Sequence, residues 1–176
     1  MTTAHTKTTV EIVTALTAGL TAVQWSGEAA FQSVRRFDSD DLERAFRELL
    51  LYQQRIALVI PLGETFESEA RGAQLLIRRV RPFGLLLSDR VLGKREESVF
   101  GGATTPGAYG LLEAALPAVV GQIIDNPNGV RSDPTSAQPL TLVDAEHQLP
   151  ARAAVLLELE CRGGWYEAPL NLGPVR

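Results

Sequence analysis

The chain has 176 residues, 45% hydrophobic and 22% charged, with a formal net charge of −4 and a pI near 5.3. That length and apolar fraction suit one folded domain, and the acidic balance argues against a general nucleic-acid binder, which carries a basic surplus. One cysteine excludes an intramolecular disulfide, one cysteine with two histidines excludes a structural zinc site, and no apolar run nears the roughly 18 residues of a membrane helix.

Met1–Thr9 is polar and Thr-rich and reads as a loose tail, with no basic leader before an apolar core, so a soluble cytosolic chain is expected. Val10, Val13, Leu16 and Leu20 recur at helical spacing, which predicts a helix from about Thr8 to Val23, ended by Trp25-Ser26-Gly27. Ala29–Arg36 reads as a short strand. Ser39-Asp40-Asp41 opens a second helix, because a side-chain oxygen there caps free N–H groups and acids suit the positive helix end. Its stripe is Leu42, Ala45, Phe46, Leu49 and Leu50. Arg55–Leu62 is apolar on both faces, as a central strand is. Strand, helix, strand makes a crossover, so the strands at 29–36 and 55–62 should run parallel.

Gly63–Gly72 is acidic and bounded by glycines, and reads as a loop. Gln74–Arg90 is the longest strand, with a bend expected at Pro82 and Gly84. Gly93–Pro106 is charged, then Gly-rich, and reads as an exposed loop. Gly101–Ile124 (GGATTPGAYGLLEAALPAVVGQII) is a loop that feeds the helix organising the rest. Tyr109, Leu112, Leu116, Val119 and Ile123 form its stripe, and Pro117 predicts a kink or break. Asp125–Pro139 holds turn residues. In Ala151–Arg162, Ala153, Val155, Leu157, Leu159 and Cys161 alternate with Arg152, Glu158, Glu160 and Arg162, which suits an outer antiparallel strand. Gly163–Arg176, with Trp165 and Tyr166, reads as an arm. The expected fold is α+β: one domain over 1–176, with a mixed, mostly antiparallel sheet of about four strands and a long helix across one face. Flexible ends at 1–9 and 163–176 flank it.

No residue set announces a reaction. His147 has Ser136, Thr141 and Asp144 in the same region but no motif joins them, and Cys161 ends an apolar stripe as a small hydrophobe does. Asp38, Asp40 and Asp41 lack the further ligands of a calcium loop and read as helix capping. Gly101-Gly102 precedes a helix, but neither phosphate-binding glycine pattern is present. No catalytic, cofactor or metal residue is assigned. Arg35, Arg36, Arg78, Arg79 and Arg81 form two basic clusters on or beside strands. They face an acidic partner or a DNA-filled channel, or they form a wet sheet face paired with Glu158 and Glu160.

Three stretches sharpen the pattern: DLERAFREL at Asp41–Leu49 before the strand at 55–60, RPFGLLLSD at Arg81–Asp89 before a Gly-rich loop, and GAYGLLEAAL at Gly107–Leu116. Together they resemble the Mu-like Gp37 family of contractile-tailed bacteriophages and, more broadly, tail terminator proteins. Gly107–Glu113 matches that family's Gly-Ala-Tyr-x-Leu-Leu-Glu opening of its third helix. The likeness runs from about Val10 to Arg162, and departs in the Asn126–Pro139 connection and the Trp/Tyr/Pro tail.

The resemblance implies a non-enzymatic virion protein, assembled in the host cytoplasm, that caps the tail tube and sheath as a homohexameric ring. It also implies contact with tail-tube and sheath proteins and with a neck or head-completion protein, DNA met only in non-specific passage, and no membrane. The five arginines are then channel- or partner-facing. Contacts fall to Lys94 and Arg95, Gly101 and Gly102, and Trp165 and Tyr166. Competing readings are a head-completion or neck adaptor, a small cytosolic α+β enzyme, and a plain interaction domain.

Overall fold

A computed structural model describes residues 8–37, 54–72, 74–90, 95–121, 130–142 and 152–167. The helix expected at 39–50, His147, Asp144, Lys94 and the last nine residues lie outside that set. Helix α1 (Thr9–Thr21) begins with a reciprocal cap: the Thr8 hydroxyl accepts from the Glu11 N–H, and the Glu11 carboxylate accepts from the Thr8 N–H at 2.6 Å. Ile12, Val13, Leu16 and Leu20 are its buried stripe, while Val10 is exposed. A small hairpin follows, β1 (Gln24–Trp25) with β2 (Glu28–Ala29), turning at Ser26 and Gly27, both at positive φ.

The main sheet is built from β3 (Ser33–Arg36), β4 (Arg55–Pro61), β5 (Thr65–Arg71), β6 (Gln74–Asp89), β7 (Arg131–Leu142), β8 (Arg152–Arg162) and β9 (Tyr166–Glu167). Its order is β3-β4-β6-β8-β7, with β5 and β9 flanking the first half of β6. β3 and β4 run parallel, as the crossover argument requires, and every other pairing in this sheet is antiparallel.

Seven described strands replace the expected four or so. The reason is that β5 and β7 are mostly exposed on both faces and so carry no apolar run to betray them. Thr65–Arg71, expected as loop, pairs with β6 without a slip. Arg131–Leu142, expected as mostly turn, pairs along β8 with a register shift between Pro134 and Ser136. β8 is correspondingly interior, held between β6 and β7, and not an outer strand. Its alternation is as expected: Ala153, Val155, Leu157, Leu159 and Cys161 all enter the core.

Two helices follow β6. Part of the expected 93–106 loop is helix α2 (Arg95–Phe100), and α3 (Gly107–Val119) covers the sheet beside α1. α3 has 13 residues, so it is a short helix, not a long one; it stops two residues beyond Pro117, with Val120 extended. Its buried stripe is Ala108, Leu111, Leu112, Ala115 and Val119, rotated from the expected one, and Tyr109 and Leu116 sit at the margin. The small residues Ala108 and Ala115 let the helix lie close to the sheet, a choice that apolar spacing alone does not reveal. The core joins α1 and α3 to Ala57, Val59, Phe83, Leu85 and Leu87. A smaller cluster, Leu58, Leu86 and Ala154, lies on the opposite face of the sheet, called the open face below.

Candidate interaction surfaces

β6 serves two regions. From Val80 to Asp89 it has β8 on one edge, with β4 along Phe83–Asp89 on the other. From Gln74 to Val80 it pairs β5 on the β4 edge, and β9 touches Leu76 and Ile77 on the other. β4 and β5 are therefore one line of chain, broken at Leu62-Gly63-Glu64 where Gly63 takes φ +108. Beyond the break, β5, the first half of β6 and β9 form an arm. No described residue of the arm before Val80 is buried.

Glu64 sits at the joint. Its carboxylate accepts from the Thr9 hydroxyl at 2.6 Å, from Arg79, and from Arg81 Nε at 3.2 Å, so it ties the start of α1 to the base of the arm. The Thr9 hydroxyl first, then the Arg79 guanidinium, hold the Glu64 carboxyl down at about 2. Odd-numbered residues of β6 share the helix-bearing face with Phe83 and Leu85, and even-numbered ones share the open face with Leu86. The cluster read as Arg78, Arg79 and Arg81 is therefore split by the sheet. Arg79 and Arg81 face Glu64, and Arg81 is 0% exposed. Arg78 is on the open face, ion-paired with Glu67 and lying 4.8 Å over the Trp165 ring. These arginines do not share one wet face: their acids are Glu67 on the open side and Glu64 on the helix side, not Glu158 and Glu160.

The other basic pair is also divided. Arg35 pairs with Leu58 and lies exposed on the open face. Arg36 lies on the helix side, lining an open groove of about 500 Å³ with Val13, Thr14, Thr17 and Ala18. Arg95 begins α2. Gly101 and Gly102 close a tight loop: Gly101 donates to the Glu97 carbonyl and Gly102 to the Thr105 carbonyl, both at 2.9 Å. A Cβ at Gly107, which has φ +65, would stand 2.2 Å from the Gly101 nitrogen. These glycines serve close backbone approach, which accounts for the first residue of the Gly107–Glu113 motif. Trp165 stacks on this chain's own Arg78, and Tyr166 pairs with Ile77 in β9.

The sequence reading missed a buried polar layer at the far end of β6. Asp89 is fully buried and accepts the Gly107 N–H at 3.0 Å, capping α3. Burial pushes the Asp89 carboxyl up, against the pull of the Gly107 and Arg90 N–H groups. Arg152, read as a wet residue, is buried and donates to the Gln54 carbonyl; burial, then the charge of Arg90, lowers it to about 10. Ser88 donates to the Ala153 carbonyl at 2.8 Å; away from that end, opposite Cys161, buried Ser132 donates to the Val119 carbonyl. Cys161 is buried as expected of a small hydrophobe, and burial pushes its thiol to about 12. Among the described residues, no three His, Cys, Asp or Glu side chains come together as a metal would need, and no helix is long and apolar enough to cross a membrane.

No family model matches the chain, so the likeness to the Gp37 family stands on the residues quoted for it. No curated protein matches it either. Among solved structures, it is similar to a chain from the virion of a native gene transfer agent particle. The two are 13% identical, with a TM-score of 0.49, over 86% of this chain and 94% of that one.

Proposed function

We propose that the chain is a structural subunit of a contractile-tailed phage or prophage virion. It closes the tail tube as a homohexameric ring, ends tube and sheath growth, and offers a surface to the neck or head-completion protein. The arm carries this reading. Six residue pairs, Phe66–Arg71 of β5 with Gln74–Arg79 of β6, are laid outside the core with no residue of either strand buried. A protein working alone gains no burial from such an extension, whereas a subunit that must reach a neighbour does. The Gly107–Glu113 motif supports the same family of assemblies. In this reading the open face, with Arg78 among its cations, looks into the channel through which DNA passes without sequence readout. Arg79 and Arg81 act within the joint.

Negative-stain electron microscopy of the purified chain, alone and mixed with uncapped tail tubes, tests the proposal. Closed sixfold rings, or a cap at one tube end only, are the expected result. A chain that stays monomeric and ignores tube ends overturns it.

A further inference from the structure

Two strand edges lie bare on one margin of the main sheet: among the described residues, no strand pairs the outer edge of β3 or of β5. β3 runs with β4, and both β4 and β5 run against β6 along the same edge of it, so β3 and β5 point the same way. β3 stands one strand outside β4, while β5 continues the β4 line, so the margin is stepped. Neither edge carries the prolines or the register shift that blunt β7.

Along a strand the N–H groups alternate between the two edges. Phe37 donates to the Val59 carbonyl, so Arg35 turns its amide to β4, and Val34 and Arg36 turn theirs outward on the helix-bearing side. β5 has the same direction and the same free margin, so its outward amides also belong to its helix-bearing residues, Phe66, Ser68 and Ala70. The open side carries exposed Arg35 on β3 and Glu67 and Glu69 on β5. A second copy extends this margin, with its open face on the same side, only after a half-turn about the sheet normal, which makes the contact antiparallel. Charge then selects the partners. At full overlap β3 against β3 sets Arg35 on Arg35, and β5 against β5 sets Glu67 on Glu69, whereas β3 against β5 sets Arg35 on Glu67.

We propose that two free copies of this chain pair β3 against β5 twice, about one two-fold axis, each step of the margin filling the other. Arg35 stands opposite Glu67 at a non-hydrogen-bonded pair, where side chains come closest. On the other side Val34 and Ser68 exchange both hydrogen bonds, as do Arg36 and Phe66, which brings Arg36 beside a ring that is 62% exposed in the single chain. Ile60 and Thr65 flank the ends of the two β3 strands, and the five residues between them, roughly 16 Å, keep those ends apart. A two-fold contact is complete at two copies and cannot be the repeat of a closed ring. It is the chain before assembly, each arm held by its mate, and it opens when the ring forms. The contact is argued from the edges alone; its role as a stored form rests on the ring reading.

The test is a chain carrying Arg35→Cys and Glu67→Cys. Within one chain Arg35 sits beside Leu58, so roughly 30 Å of strand separates the new thiols and they bridge only between copies. Cys161 is buried with its thiol held protonated, and stays out of exchange. Mild oxidation is read on a non-reducing gel. The expected result is a single dimer band, at least tenfold stronger than from either single-cysteine chain. A monomer band that persists overturns the contact, and a ladder beyond the dimer overturns its two-fold closure. Because Glu67→Cys also removes the Glu67–Arg78 pair, Arg35→Glu supplies a second reading at an exposed site. In sedimentation velocity the wild-type chain should run as a dimer, and Arg35→Glu, with unchanged circular dichroism, should dissociate at least tenfold more readily. Equal sedimentation of the two refutes the contact. The oxidised and reduced double variants are then mixed with uncapped tail tubes, and caps are expected from the reduced form alone. Caps from both sink the stored form and leave the contact standing; a wild-type chain that dimerises and never caps a tube sinks the ring reading instead.

Discussion

The two halves of β6 share one backbone and one pairing pattern, yet they are held by different forces. From Val80 to Asp89 the strand is almost wholly buried, with the helices over one face and the Leu58–Leu86–Ala154 cluster on the other. From Gln74 to Arg79 nothing is buried, and what surrounds the ladder is Glu67–Arg78, Glu69–Arg71 and the Arg78–Trp165 stack. A strand needs a ladder, but it needs a core only where the molecule must be stable alone. The body is set by apolar burial, and the arm by hydrogen bonds and ion pairs that water and salt can reach.

That contrast predicts unequal costs for matched changes. Gly107 and Gly72 both have positive φ, but a Cβ at Gly107 meets backbone at 2.2 Å while one at Gly72 meets nothing within 4 Å. Gly107→Ala should cost about 4 kcal/mol, from left-handed strain plus overpacking, and Gly72→Ala only about 1. Urea unfolding of the two variants checks this, and equal midpoints would break the comparison. On β6 itself, Leu85→Ala should cost about 3 kcal/mol and Ile77→Ala less than about 1, since only Leu85 leaves a cavity.

The joint should show in acid. Glu64 is held from its ordinary 4.5 down to about 2, so its contribution is complete above pH 4.5 and is lost as pH falls towards 2. Its side chain is 27% exposed, and after screening the contribution is about 1 kcal/mol. Glu64→Gln should remove that part of the acid limb while leaving the slope above pH 5 unchanged. A wild-type curve that is flat from pH 4.5 to 2.5 counts against the clasp. The smallest effect is on local opening: β5 amides should exchange well before those of β8 under native conditions.

Legibility in the sequence followed the same division. Strands that enter the core announced themselves: β4 by its unbroken apolar run, β8 by an alternation broken at Ala154 and Leu156, α1 by its 3.6-residue period. β5 alternates too, Phe66, Ser68 and Ala70 against Glu67, Glu69 and Arg71, but half of that pattern is weakly apolar and the flanking glycines argued for a loop. β7 was hidden by two prolines, which an edge strand tolerates. Basic residues two apart on a strand share a face and adjacent ones do not, so Arg78 and Arg79 had to part. Asp89 and Arg152 sit at strand ends, where sequence marks polar residues as wet; in the fold Asp89 is closed over by the start of α3 and Arg152 reaches the Gln54 carbonyl.

The hairpin of β5 and β6 has a further consequence, for the order in which the sheet forms. It joins Arg71 to Gln74, the most local pairing of the main sheet among the described residues, and hairpins of that kind close in roughly 1–10 μs. The pairing of β6 with β8 joins Asp89 to Ala153 and must wait for a much larger loop. Because β4 continues the line of β5, early closure at the tip sets the register that β4 inherits. Pulsed hydrogen exchange during refolding should therefore protect Phe66 and Ile77 amides before those of Leu157. The opposite order would mean that the core aligns the arm. If the tip leads, the part of the chain that remains least buried is the part that nucleates.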